Sequence, residues 1–313
     1  MWRTVGWLVL VAFSIAVWLA TFRAFGFAPA VPGSDAWNYL AAGERLNAGH
    51  PLYSISPGDR PIQLLPPYWM VPLLAPPPIA VVWRPLALLG DASMTLWAVA
   101  GLAVTLVTAG WLLTRSGLIA AAILAVMAGP LALQSLAGNA NGFLFAALVL
   151  AWLFRSRPVL AGALVAATIA VKLTPALLVM WLAAAGRWRA LGGTVGALVV
   201  IGIVSLLGAG LQNHLDWLAS VPRSAPVPTS IAGLTGLPSI VVEAAAAVAV
   251  LVVALARDER LTFSAAVIAA ALASPALYLG TLGIAAAAAA PWLPPASSLA
   301  SRLRSRSMST RPA

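Results

Sequence analysis

Side chains able to do chemistry are few in this chain, and their scarcity narrows what it can be. Eight carboxylates, two histidines and no cysteine are spread over 313 residues. Without cysteine there is no disulfide framework and no thiolate metal site, and His50 and His214 lack the local spacing of a metal site. Four carboxylates, Asp35, Glu44, Asp59 and Asp91, lie in or just beyond one polar stretch. Within it, Gly33 to Leu46 reads as a short amphipathic helix, with Ser34 as its cap and Asp35 in the first turn. Gly49-His50-Pro51 ends it. At about 100° per residue, Asp35, Tyr39, Ala42 and Leu46 share one face, and Glu44 lies nearly opposite Asp35. These two carboxylates therefore cannot form a catalytic pair within the helix. Asp35 by itself has two readings. It either favours the helix N-terminus or takes a proton from an attacking hydroxyl as a lone general base.

The other conspicuous group is Lys172, the single lysine among eighteen basic residues. It sits inside an apolar run, where a charge costs about 2.5–3.5 kcal/mol to insert. Such a residue either snorkels to an interface or is paired and functional.

The elements that must position these groups are membrane helices. The chain is 62% hydrophobic and 8% charged, with a mean hydropathy of +0.96. A soluble domain carries about a quarter charged residues, so this chain cannot present a wetted surface. The formal charge of +10 does not imply a nucleic-acid partner. The arginines stand singly or in pairs between apolar runs, and in a tail from Arg302 to Arg311, as in short cytoplasmic loops. Arg3, the apolar run Val5–Ala20 and Ala28-Pro29-Ala30 resemble a secretory signal. The run is as long as a span, so an uncleaved first helix is the better reading.

Apolar stretches run from Val5 to Gly26, Val71 to Leu89, Met94 to Leu113, Gly117 to Leu133, Gly142 to Phe154, Val159 to Gly186, Leu191 to Leu211, Gly236 to Ala256, and Leu261 to Leu293. The last is long enough for two passes, with a break at Ser274-Pro275. The expectation is an all-α, polytopic, single integral membrane domain over residues 1–313, with about ten transmembrane helices. The basic loops place both termini in the cytoplasm. Residues 27–70 and 211–235 are then external loops, and 294–313 is a basic cytoplasmic tail. Two topologies remain open in the middle. In the first, Val71–Leu89 is re-entrant, Arg115, Arg155 and Arg157 lie inside, and Val159–Gly186 is a hairpin. In the second, both stretches are true spans and those arginines lie outside. Positive-inside counting favours the first. Trp18, Trp69, Trp83, Trp97, Trp111, Trp181 and Trp188 read as interfacial anchors.

Several short segments occur in a telling order: Asp35-x-x-x-Tyr39-x-Ala41-Ala42, Gly49-x-Pro51-x-Tyr53, Pro66-Pro67-Tyr68 and Gly138-Asn139-Ala140-Asn141. They are followed by Ala161-Gly162, Val171-Lys172-Leu173-Thr174-Pro175 and Gly186-Arg187-Trp188-Arg189-Ala190. Over roughly the first 190 residues this set resembles glycosyltransferase family 87, membrane mannosyltransferases of the GT-C class that use polyprenyl-phosphate-mannose. The resemblance implies a GT-C-like fold and an inverting transfer, with Asp35 as the base for the acceptor hydroxyl and polyprenyl phosphate as leaving group.

On that reading the partners are a polyprenyl-phosphate-sugar donor, a glycolipid or glycan acceptor of a bacterial envelope, and membrane lipids; no tightly bound cofactor is expected. The leaving phosphate needs cationic or donor groups around it. Lys172 fits that need, with Arg60, Arg84 and Arg223 as alternatives. Asn139 and Asn141 either bond sugar hydroxyls or cap and connect helices. Tyr39, Tyr53 and Tyr68 either stack on sugar rings or pack the loop. His50 in a turn, and His214 beside Asp216 and Trp217, read as loop residues.

The chain departs from the family at two points. Asn139 stands where a glutamine is usual, and Ala276-Leu277-Tyr278 follows Ser274-Pro275 where the family typically has a tryptophan and a histidine pair. An arabinofuranose donor, a catalytically silent relative, and a lipid or solute transporter or flippase are the alternatives. A transporter calls for coupling groups near the midplane and often repeated halves. No repeat is visible, and Glu243, the other charge in an apolar stretch, lies near its outer end.

Overall fold

The computed structural model describes residues 2–24, 32–61, 72–220 and 226–294. Ala28-Pro29-Ala30, Tyr68, Trp69, Arg223 and the tail from Arg302 to Arg311 lie outside the described residues. The expected all-α architecture is present, and no strand occurs among the described residues. The order is α1 (Trp2–Ala24), α2 (Ser34–Asn47), α3 (Pro77–Ala87), α4 (Ala92–Arg115), α5 (Leu118–Leu136), α6 (Asn141–Leu153) and α7 (Pro158–Val171). A 3-10 turn (Thr174–Leu177), α8 (Leu178–Ala184), α9 (Trp188–Ser220), α10 (Ile231–Thr235), α11 (Ser239–Ala254) and α12 (Glu259–Leu272) follow. A long 3-10 helix (Leu279–Trp292) comes last. The break between the last two falls at Ser274-Pro275, as the sequence suggests.

Among the described residues α4, α5 and α9 are long and apolar enough to cross a membrane by themselves. Shorter apolar helices, such as α6, α7 and α11 with 13, 14 and 16 residues, pack around them. The expectation of about ten spans is thus met in part, by three clear spans and several shorter helices.

Helix contacts follow from local sequence. Pro130 inside α5 has no N–H, which leaves the Val126 carbonyl without its helical donor. Ser14 Oγ (2.9 Å) and Trp18 Nε1 (2.7 Å) of α1 donate to that carbonyl instead. One proline thereby ties two membrane helices together. In the α7–α9 crossing Gly162 lies directly against the Ala190 carbonyl and Gly193 against Val159. Small residues of this kind let membrane helices approach backbone to backbone. In the long 3-10 helix, residues three apart stack on one face, and Gly280 and Gly283 form a ridge against Gln134 of α5. The main apolar core gathers around α5, α6, α8, α12 and this helix, and a second one lies between α2 and α3.

Contacts at the helix ends define two faces. On one, Gly33 and Asp35 dock on the end of α5, Arg84 reaches Gly208, and Leu52 N–H donates to Asn213. On the other, Arg187 donates to the Arg155 carbonyl (2.6 Å) and pairs with Glu259, and Gly117 lies beside Trp292 and Pro294. Residues 158–186 therefore leave and return to the same face, turning at Lys172. The stretch is thus a hairpin rather than one long helix. α3 is short and packs on α2 and α9. Asn47 and Arg84 bond each other's ends through Nδ2 to the Arg84 carbonyl (2.8 Å) and Nε to Oδ1 (3.1 Å).

Two readings need correction. Ser34 does not cap α2. The cap position is Gly33 in a left-handed conformation, with no side-chain hydrogen bond, because the Gly33 N–H donates to the Leu136 carbonyl (2.9 Å) and sets how the chain enters. Trp83 and Trp181 are not interfacial anchors but fully buried core residues. Trp181 packs with Trp152 and Phe263, and Trp83 with Tyr39 and Trp97. In an apolar chain a tryptophan is as much at home in a helix interface as at the lipid headgroups.

Candidate active site

Asp35 is held from two sides by the connection between α5 and α6. Its N–H donates to the Ala137 carbonyl (3.0 Å). Its carboxylate Oδ2 accepts a hydrogen bond from Asn139 Nδ2 (2.7 Å). The orientation of Asn139 is fixed in turn, because its Oδ1 accepts from the Asn141 N–H (2.9 Å). With the acceptor end so engaged, the amide can only present its NH2 to Asp35. No hydrogen bond reaches Asp35 Oδ1 from the described residues.

Gly138 makes this docking possible. It adopts a φ of 67°, and a Cβ there would stand 2.7 Å from Ala36 Cβ. The α2 helix then buries Tyr39, Ala42 and Leu46 against α3, the face expected from the sequence, and leaves Asp35 partly buried at its head. Glu44 points away and pairs with Arg60.

Burial pushes the Asp35 carboxyl above the usual carboxylate range, and the Asn139 hydrogen bond and the Lys172 charge draw it part of the way back. Lys172 follows the last residue of α7 in an extended conformation, at the point where the hairpin turns. Its charge is coupled to that of Asp35. A residue 137 positions away in sequence is thus close enough for its charge to act on Asp35. Tyr278, just ahead of the long 3-10 helix, is also coupled electrostatically to Asp35.

The remaining site candidates divide into those brought near Asp35 and those engaged elsewhere. Asn141 is fully buried and donates Nδ2 to the Gly280 carbonyl (3.1 Å). It therefore ties α6 to the 3-10 helix beneath Asn139. Tyr39 is 6% exposed and its ring sits among Trp83 and Trp97, which makes it part of the packing under Asp35. Tyr53 donates its hydroxyl to the Ala75 carbonyl (2.9 Å). Arg60 bridges Glu44 (2.8 Å) and Asp91 (2.9 Å) and stacks on Trp37. The Arg84 guanidinium is taken up by Asn47 and the Gly208 carbonyl. Tyr68 and Arg223 lie outside the described residues.

A second polar cluster lies in the same loop. His50 bonds Asp59 (2.7 Å). Burial works to raise the Asp59 carboxyl, but the Ser56 N–H, His50 and the Arg45 charge outweigh it and hold it low. This carboxylate is locked into the loop. His214 bonds Ser205 (2.9 Å) and the Gly210 carbonyl across the kink of α9.

Two contributors escaped the sequence. Tyr278 stood out there only as part of a departure from a pattern. Gln134 is fully buried beside Gly280 and Gly283, with neither amide atom hydrogen-bonded. A glutamine in the middle of an apolar run was the only signal for it.

The model of glycosyltransferase family 87 matches residues 74–278. That stretch holds Asn139, Lys172 and Tyr278, while Asp35 precedes it. No curated protein and no solved structure matches the chain. With more than half of its length matched, this helical membrane protein belongs to glycosyltransferase family 87.

Proposed function

We propose that the protein transfers a sugar, mannose in the first instance, from a polyprenyl-phosphate-linked donor to a glycolipid or glycan acceptor, with inversion at the anomeric carbon. The acceptor hydroxyl gives its proton to Asp35 Oδ1 as its oxygen attacks the anomeric carbon. The bond from that carbon to the phosphate oxygen breaks, and its electron pair leaves with polyprenyl phosphate. Lys172 offsets the charge gathering on that phosphate. The chain traverses the bilayer about ten times, short helices included, with both termini in the cytoplasm. The Asp35 face is external to a bacterial plasma membrane.

The observation that carries this reading is the asymmetric Asp35 carboxylate. One oxygen is pinned by Asn139, and the other is left for a substrate proton. A positioned base of this kind is worth about 10²–10⁴ in rate. The test is sugar transfer by the purified protein in vesicles, from polyprenyl-phosphate-mannose to extracted envelope lipids. Asp35→Asn should lower it by about a hundredfold or more. Unchanged transfer would remove Asp35 from the chemistry. Transfer from an arabinose donor alone would replace the sugar but keep the base.

A further inference from the structure

Two tryptophans stand side by side in the packing under Asp35, Trp83 of α3 and Trp97 of α4, with ring centres 5.1 Å apart. Both lie near the Tyr39 ring of α2, at 5.9 and 6.3 Å. Their indole N–H groups differ. That of Trp83 is buried without a hydrogen-bond partner. That of Trp97 donates to the Gly138 carbonyl (3.0 Å), in the connection that holds Asp35.

This bond falls on the peptide unit that aims Asn139. The N–H of the same unit belongs to Asn139 and donates to the Gln134 carbonyl (3.0 Å). The plane between Gly138 and Asn139 is thus held at both edges, by α5 through its N–H and by α4 through its C=O. It needs both, because Gly138 sits at a φ of 67° and glycine has the most backbone freedom to lose. From this plane the Asn139 side chain reaches Asp35 Oδ2 (2.7 Å). The Trp97 ring is itself set between Trp83 and Phe143 of α6, the latter at 4.6 Å.

We propose that Trp97 is a positioning residue, whose indole N–H fixes the Gly138–Asn139 peptide so that the Asn139 amide meets Asp35. Its effect on sugar transfer rests on Asp35 being the base, as proposed above; its hold on the carboxylate does not. Trp83 offers similar ring packing without the bond, and so serves as a control within the same cluster.

The Asn139 hydrogen bond favours the ionised carboxylate and draws down a pKa that burial raises. Loosening it should let Asp35 keep its proton to higher pH. The other groups coupled to the Asp35 charge are Lys172, Tyr39 and Tyr278. None of them is substituted in the test, and both tryptophans lie near Tyr39.

The experiment titrates Asp35 in the full-length protein in lipid nanodiscs by infrared spectroscopy. It follows the carbonyl stretch of the protonated carboxyl, assigned by its loss in Asp35→Asn. In Trp97→Phe the titration should move to higher pH, and in Trp83→Phe it should stay at the wild-type position. Benzothienylalanine at position 97 keeps the double ring but has no N–H. It should behave as Trp97→Phe does, and it guards against a folding defect in that variant. In sugar transfer, Trp97→Phe should lower kcat by roughly tenfold, the scale of one hydrogen bond, with the KM for donor unchanged. A titration that stays put or moves down in both position-97 variants would overturn the proposal. An equal shift in Trp83→Phe would also overturn it, by making ring packing the cause. A shift confined to position 97, with normal transfer by Asp35→Asn, would retire the base and leave the hold of Trp97 on the carboxylate standing.

Discussion

The two faces of the molecule handle charge in opposite ways. On the Asp35 face, long connections build polar clusters with shared partners. Asp35 is pinned on one oxygen, Asp59 is enclosed by His50 and Ser56, and Arg60 is divided between Glu44 and Asp91. On the opposite face the turns are short. Arg115, Arg155 and Arg157 stack on Trp111, Trp152 and Phe154, and Arg187 spans Glu259 and the Arg155 carbonyl. The contrast separates two uses of polar residues in an apolar chain. One face spends backbone freedom to hold a carboxylate part-way to the interior. The other anchors helix ends with cations whose stems and rings lie along the apolar slab.

Substitutions can break or sharpen that contrast. The largest effect beyond loss of Asp35 itself is expected from Gly138→Ala. The new Cβ would collide with Ala36 at a positive φ, and displacing Asn139 by an ångström from Asp35 can cost about a hundredfold in transfer. Steady-state transfer kinetics against the melting temperature will tell, and normal kinetics would mean that the Asn139 contact is dispensable.

Next is Lys172→Gln, expected to lower transfer by about tenfold or more through lost phosphate stabilisation. It also has a signature in pH. On the proposed mechanism Asp35 is a base only when ionised, so activity should fall as pH drops through its folded pKa, which burial has raised. Removing the lysine charge raises that pKa further, and the acid limb should move to higher pH. A limb that stays put or moves down would uncouple the two residues.

On the opposite face, Arg187→Ala should act on stability alone. It removes a half-buried ion pair, at a cost of about 1–2 kcal/mol, which thermal unfolding in detergent can read while the KM for donor stays the same. A changed KM would mean that the two faces communicate. The smallest effect belongs to Arg189→Gln. That side chain is exposed, and both stability within about 0.5 kcal/mol and transfer should be unaltered.

How much of this was legible in the sequence depends on the kind of signal. α2 could be read as a helix from its pattern, though it is covered on more sides than one amphipathic face, Leu40 and Arg45 included. The break at Ser274-Pro275 could be read because proline and length both announce it. Positive-inside counting favours a hairpin across Val159–Gly186, but the place of its turn at Lys172 has no mark in the sequence. The partnering of helices was not legible. α6 and α7 are apolar all round, so no stripe of residues tells which side meets α4, α9 or lipid. The same lack of contrast hid the burial of Trp83 and Trp181. The junction of Asp35 with Asn139 joins residues 104 positions apart. Its only local trace was the Gly138-Asn139 step, which reads as an ordinary turn until the Ala36 methyl group is set against it.

The long 3-10 helix has a consequence in plain length. At about 2.0 Å per residue its 14 residues reach about 28 Å, close to the ~30 Å hydrocarbon thickness of a bilayer. Wound as an α-helix the same residues would cover only about 21 Å. The tighter coil acts as a drawn-out tether. It lets a short run of glycine and alanine carry the chain from the Tyr278 loop to the arginine face, with Gly280 fastened at one end and Trp292 held by Ser264 at the other. Relaxing to the α form would shorten that tether by about 7 Å, more than the reach of any hydrogen bond now holding Tyr278 in place.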